Sequence, residues 1–152
     1  MKTKTIVSEL VRKDSQSQFC RTLSDYVSKN MLASFSEEDS VAKRKIDPDT
    51  RRLISYLFTG TRGGANRLRI ILLLAQRPLN LHQISKELVL DYNAIQFHIE
   101  VLEKNNLVSR AGERYGALFF LSTFLEHNIA AFNEIVVKLY KSLNMKSSEG
   151  TN

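Results

Sequence analysis

One cysteine, two prolines and six glycines in 152 residues set limits on what this chain is. The lone thiol, Cys20, excludes an internal disulfide and suits a reducing cytosol, while leaving a bond between two chains open. So little proline and glycine excludes a fibrous or wholly disordered chain. No apolar run approaches the roughly 18 residues that span a bilayer, and residues 1–17 lack the apolar centre of a signal peptide. A cytoplasmic protein with no membrane partner is expected. Catalytic constellations are missing too: His82, His98 and His127 are unlinked, and neither paired carboxylates nor a cofactor loop frames a pocket. The expectation is therefore a non-enzyme without a cofactor.

What is present is an ordinary globular composition, 43% hydrophobic and 25% charged, over a length that suits one compact domain with flanking elements. The 22 Lys and Arg against 16 Asp and Glu give a net charge of +6, which favours a polyanionic partner because each cation set on a phosphate releases a condensed counterion. The charge is spread out. Residues 1–52 hold 11 basic and 8 acidic side chains, so that stretch is no polybasic tail.

Residues 1–46 read as a polar extension, partly helical or disordered. Phe19, Leu23, Tyr26, Val27, Met31 and Phe35 recur at three- and four-residue steps, as one amphipathic helix would place them. Ser34 to Lys45 is charged and serine-rich and reads as a linker. Asp47-Pro48 then supplies an N-cap with proline at the first helical position, ahead of the stripe Leu53, Ile54, Leu57 and Phe58. Gly60, Gly63 and Gly64 are expected to end that helix in a flexible loop. A second helix from about Asn66 buries Leu68, Ile71, Leu72 and Ala75 until Pro78 stops it. Asn80 caps a short helix, Leu81 to Leu88, and Asp91 caps a longer one, from Tyr92 to about Asn105, with Ile95, Ile99 and Leu102 inward.

Two strand candidates, Leu107 to Arg110 and Ala117 to Leu121, flank the turn AGERYG, a hairpin signal. Three helices followed by a hairpin is the winged-helix order, so the expected fold is mainly α with a small β-hairpin (α+β), with the winged helix-turn-helix over residues 47–122. From Thr123 to about Leu143, residues Leu125, Ile129, Phe132, Val136, Leu139 and Leu143 form a heptad seam, predicted to pair two chains across a dimer interface. The bland alternative is a helix packed on its own domain. Residues 123–145 are thus taken as a dimerisation helix and 146–152 as a disordered tail.

In a helix-turn-helix the first helix braces the second, whose N-terminal half enters the major groove. At about 100° per residue, setting Ile95, Ile99 and Leu102 inward turns Asn93, Gln96, Phe97, Glu100 and Lys104 outward. Asn93 and Gln96 suit bidentate pairing with adenine, and Phe97 suits a thymine methyl. Glu100 costs binding near phosphates unless it accepts from a cytosine amino group or pairs with Lys104; the sequence does not choose. His98, on the flank of the buried face, reads as a packed core residue. Arg110, Arg114 and Tyr115 at the hairpin, and Thr61, Arg62, Asn66 and Arg67 at a glycine-rich loop opening a helix, are candidate phosphate contacts, joined by Gln83, Tyr92 and Lys104. The loop TGTRGGAN lacks the GxxxxGK[ST] spacing of a nucleotide-binding loop.

TGTRGGANRLRIILLL, DYNAIQFHIEVLEKNNLV and ERYGALFFLS together resemble archaeal winged-helix regulators of the ArsR-like class over roughly residues 47–140. The resemblance implies binding of double-stranded DNA as a homodimer, with the helix carrying Asn93 to Lys104 as the reading element and Arg110 to Tyr115 as the wing. Two departures stand out. The clustered cysteines or His/Asp sets of metal-sensing members are missing, so no metal is expected. Asn106 stands where glycine often ends the helix; asparagine tolerates the left-handed conformation. The expectation is a sequence-specific transcription regulator, and the alternative is a winged-helix protein-interaction module or general transcription accessory factor.

Overall fold

A computed structural model describes residues 21–29, 46–113 and 115–149. The Ser34 to Lys45 linker, Cys20, Arg114 and, from the predicted arm stripe, Phe19, Met31 and Phe35 lie outside the described residues. Residues 21–29 are helical and are called α1. Leu23 is buried, and Tyr26 stands edge-on to Phe132 with ring centroids 6.0 Å apart while its hydroxyl donates to Asn133 Oδ1 at 2.6 Å. Burial pushes the Tyr26 phenol up to about 12.

Helix α2 is Pro48–Ser55. Asp47 Oδ2 accepts from the Thr50 amide at 2.9 Å and from its hydroxyl at 3.0 Å, and these bonds hold the carboxyl below its usual range. After Ser55 the helix widens into a π-helical turn, Tyr56–Gly60, that buries Leu57 and Phe58, and it ends at Gly60 as the glycines suggest. Gly63 and Gly64 are close-approach positions and not a flexible hinge. A Cβ on Gly64 meets the Phe58 carbonyl oxygen at 2.3 Å, and one on Gly63 meets Arg67 Nη1 at 2.5 Å and His98 Cε1 at 2.7 Å.

Helix α3, Gly64–Leu74, starts two residues before the sequence expectation and is buried on nearly every face. Ile70, Leu73 and Leu74 join Leu68, Ile71 and Leu72 in the core, whereas Ala75, expected inside, caps the helix on the surface. Helices α4, Leu81–Leu88, and α5, Tyr92–Lys104, follow as predicted. Strands β1, Val108–Ala111, and β2, Leu118–Leu121, pair antiparallel with Val108 opposite Leu121 and Ala111 opposite Leu118. Leu79 adds a one-residue third strand, exchanging both backbone hydrogen bonds with Phe119 at 3.2 and 2.8 Å. The architecture is a winged helix-turn-helix, mostly helical with one two-stranded hairpin.

The final segment is two helices and not one. α6, Thr123–His127, stops at Asn128 and α7, Ile129–Glu149, continues past Leu143 into the expected tail. Its heptad positions face inward on their own chain: Leu125, Phe132, Val136 and Leu139 are buried, Ile129 and Leu143 half-buried. Phe132 meets Phe58 edge-on at 5.3 Å, and Arg51 of α2 pairs with Glu134 of α7 at 3.2 Å. The buried part of the seam is thus spent on the intrachain core, which corrects its assignment as the surface that pairs two chains. A period of 3.5 to 3.6 records one apolar stripe and says nothing about whose chain covers it.

Candidate nucleic-acid interface

The helix-turn-helix is held at both ends of α4 and at the start of α5. Asn80 and Gln83 form a reciprocal capping box, the Gln83 amide donating to Asn80 Oδ1 at 2.8 Å and Gln83 Oε1 accepting from the Asn80 amide at 3.0 Å. At the other end Arg69 Nη2 donates to the Leu88 carbonyl at 3.1 Å, and Ser85 Oγ donates to the Leu90 carbonyl at 2.6 Å. Val89 makes the turn in the left-handed region at φ +53°, an unfavourable place for a β-branched side chain, and is exposed. Asp91 Oδ2 accepts from the amides of Asn93 and Ala94 at 3.0 and 3.3 Å and starts α5.

Helix α5 divides as its period predicts. Ile95, Ile99 and Leu102 are buried, and Asn93, Gln96, Phe97, Glu100 and Lys104 are exposed, with 58% of Phe97 accessible. Leu107 and Asn106 donate backbone hydrogen bonds at 2.9 Å to the carbonyls of Leu102 and Glu103, ending the helix in a Schellman motif with Asn106 left-handed at φ +59°. The open ridge spans about three turns, from Asn93 to Lys104, and runs toward the hairpin. Between them lies a cleft of about 330 Å³ that Tyr92, Gln96, Glu100, Glu103, Arg110 and Tyr115 help to line.

Several predicted phosphate contacts point elsewhere. Arg67 is 4% exposed: its Nε donates to the Leu57 carbonyl at 3.0 Å, Nη1 meets His98 Nδ1 at 3.3 Å, and Nη2 donates to the Thr61 hydroxyl. Arg67 and Thr61 therefore bind the π-helical turn to the back of α5, and neither side chain is available to a phosphate. A guanidinium only donates, so Nδ1 of His98 accepts and the ring proton sits on Nε2. Burial, then the charge of Arg67, push the His98 imidazole below its ordinary range, and burial likewise lowers Arg67 and Arg69.

Arg110 is exposed but committed. Its Nε and Nη2 form a two-pronged bond to Glu103 Oε1 and Oε2 at 2.9 and 2.7 Å, and its guanidinium lies 5.6 Å from the Phe119 ring centroid. Hydrogen bonding to Glu103 and its charge raise the Arg110 guanidinium still further. The hairpin is thereby tied to α5. Glu103 was missed in the sequence reading; its signal was an opposite charge facing Arg110 across the helix-to-strand turn.

Arg62, Lys86, Tyr92 and Tyr115 are exposed, Asn66 is half-buried, and Gln83 keeps only its amide nitrogen outside the capping box. Gln96 Nε2 donates to Glu100 Oε1 at 3.3 Å, so Glu100 takes its partner from the preceding turn and not from Lys104. Between Leu81 and Glu113 the chain carries five acidic side chains (Glu87, Asp91, Glu100, Glu103, Glu113) and three basic ones (Lys86, Lys104, Arg110), so the net charge of the chain is not concentrated here. Among the described residues no three His, Cys, Asp or Glu side chains gather as a metal site, and no helix is long and apolar enough to cross a membrane.

Residues 65–110 match the family described as "Bacterial regulatory protein, arsR family". No curated protein matches the chain. Among solved structures, that of a probable transcriptional regulator from Pseudomonas aeruginosa is similar over 67% of this chain and 83% of that one, at 18% identity and a TM-score of 0.45. The family match begins one residue into α3 and ends within β1, so the likeness spans the helix-turn-helix and the start of the hairpin.

Proposed function

We propose that this protein is a transcription regulator that binds specific sites in double-stranded DNA, with α5 in the major groove and the wing on the flanking backbone or minor groove, and that it is not an enzyme. The observation that carries the reading is the ridge of Asn93, Gln96, Phe97 and Glu100, left open on a helix whose other face is locked into the core. Nothing in folding requires an exposed phenylalanine beside two amides. A groove lined by base edges and thymine methyls suits that combination.

The homodimer follows from magnitudes. Each bidentate amide–base pair discriminates by about 1–3 kcal/mol, whereas specific sites stand about 4–10 kcal/mol below non-specific DNA. One ridge with two amides supplies about 2–6 kcal/mol and reaches only the lower part of that range, whereas two ridges supply about 4–12 kcal/mol and span it. Recognition helices in successive major grooves then call for half-sites about 10 bp apart. Half-buried Ile129 keeps accessible surface beside the wing domain and belongs to the proposed contact between chains.

Selection from a random duplex pool, followed by binding titrations on the recovered site, tests the reading. Asn93→Ala with Phe97→Ala is expected to flatten the sequence preference while leaving weak, salt-dependent binding. Retardation that is equally weak for every sequence at moderate salt defeats the proposal.

The excess of acidic over basic side chains between Leu81 and Glu113, together with Phe97, Tyr92 and Tyr115 at the surface, favours a second reading as a protein-interaction module. Replacing Arg62, Lys86 and Lys104 by alanine separates the two: DNA affinity falls under the first and partner capture is unchanged under the second.

A further inference from the structure

Gln96 and Glu100 stand one turn apart on the open ridge of α5, joined by the Nε2 to Oε1 hydrogen bond at 3.3 Å. A carboxylate accepts and does not donate, so this contact fixes which way the amide faces. One of its two N–H groups is held by Glu100, which leaves the oxygen and the second N–H for a ligand. The pair offers a ligand two acceptors, the amide oxygen of Gln96 and the second oxygen of Glu100. Between Asn93 and Glu103 the helix holds no lysine or arginine, the side chains that pair with guanine O6 and N7.

Resting on the DNA-binding reading above, we propose that Gln96 and Glu100 act as one acceptor unit that selects a cytosine at a fixed position in each half-site, its 4-amino group donating to Glu100. In the major groove only adenine and cytosine present donors; guanine and thymine present acceptors that repel a carboxylate. Adenine sets its N7 acceptor beside its amino group, against the Glu100 charge, while cytosine has a C–H edge there. The contact between Gln96 and Glu100 is weak in water, where both residues are exposed. In the groove water is displaced, and a carboxylate without donors becomes the costly state, so binding tightens the pair and does not open it. Specificity then comes from Glu100, a residue whose charge alone reads as unfavourable near DNA.

The test runs selection from a random duplex pool with the full chain and with Glu100→Gln, an exposed substitution whose fold is checked by a melting curve. The recovered duplex is then titrated with that position carrying each base in turn, and 2-pyrimidinone, a cytosine analogue without the 4-amino group. The wild-type chain is expected to lose about tenfold in affinity on guanine and on the analogue, whereas Glu100→Gln ignores the analogue and prefers adenine, the new glutamine being able to pair bidentately with it. A defined site on which wild type and Glu100→Gln show the same preferences overturns the acceptor unit and leaves the DNA reading intact. Guanine preferred at the position sensitive to residue 100 also overturns it. No enriched sequence from either protein sinks the DNA reading and this inference with it.

Discussion

Helices α3 and α5 are neighbours in one core and treat their polar side chains in opposite ways. α3 is apolar around almost its whole circumference and draws Arg67 inward and Arg69 partly so, each ending on a backbone carbonyl. α5 buries one face and leaves the other open, down to a phenylalanine. A helix covered on all sides can only be scaffold, so its cations are structural despite their charge. The one-sided helix keeps an unpartnered ridge that packing does not explain. Charge in a sequence is thus a poor guide to charge at a surface: of the arginines expected on phosphates, Arg67 is internal and Arg110 is held by Glu103.

If full coverage marks scaffold, the inward seam of α7 must behave like α3 and not like an interface between chains. Phe132 is fully buried and touches both Phe58 and Tyr26. Phe132→Ala is expected to cost about 3–5 kcal/mol, the range for deleting a buried ring, with a cavity left between α1, α7 and the π-helical turn. Urea unfolding measures it. The loss should be independent of protein concentration; a deficit that raising the concentration restores would assign Phe132 to a contact between chains.

The contrast sharpens at two arginines five residues apart. Arg67→Ala removes donors from the Leu57 carbonyl, the Thr61 hydroxyl and His98 Nδ1 at once, and a destabilisation of about 2–3 kcal/mol is expected. Arg62→Ala, at an exposed position, should change stability by less than about 0.5 kcal/mol while weakening DNA affinity evenly across sequences and reducing the salt slope by about 1. Thermal melts and salt titrations of the two variants, compared side by side, check both halves. Equal stability losses would show that the loop does not divide its cations as the contacts imply.

How much of this was legible beforehand follows the range of each signal. The caps at Asp47, Asn80 and Asp91, the two faces of α5 and the hairpin are local, set by residues within one or two turns, and the sequence carried them with shifts of one residue at the strands. Burial of Arg67 was not legible, because it depends on His98 being 31 positions away and on two glycines that let α3 approach the π-helical turn. Nor was the break at Asn128 or the destination of the seam. An apolar stripe states that something covers it, and only tertiary contacts say what. The strain at Val89 is likewise invisible to pattern, since the φ of a turn follows from where the next helix must go.

The most graded of these effects lies where the two helices touch. His98 belongs to α5 but faces α3, and its Nδ1 accepts from Arg67, which requires the neutral ring. The folded state holds the imidazole below the ordinary value of 6.5, by burial first and by the Arg67 charge second. With the folded value depressed, the unfolded chain binds the extra proton first as pH falls, so this contribution is fully present above about 6.5 and is lost progressively below it, until the folded ring also titrates. One proton sets a ceiling of about 1.4 kcal/mol per pH unit on the slope. His98→Asn keeps an acceptor toward Arg67 without a titrating ring, and urea unfolding from pH 8 to pH 5.5 should give it a flatter profile than the parent chain. Protonation of the folded ring would also set a second cation against Arg67 behind the ridge of α5, so DNA affinity of the parent should fall only at the acid end of that range, where the lowered folded value is reached, while that of His98→Asn holds. Superimposable pH profiles for the two proteins would remove His98 from the coupling between scaffold and reading helix.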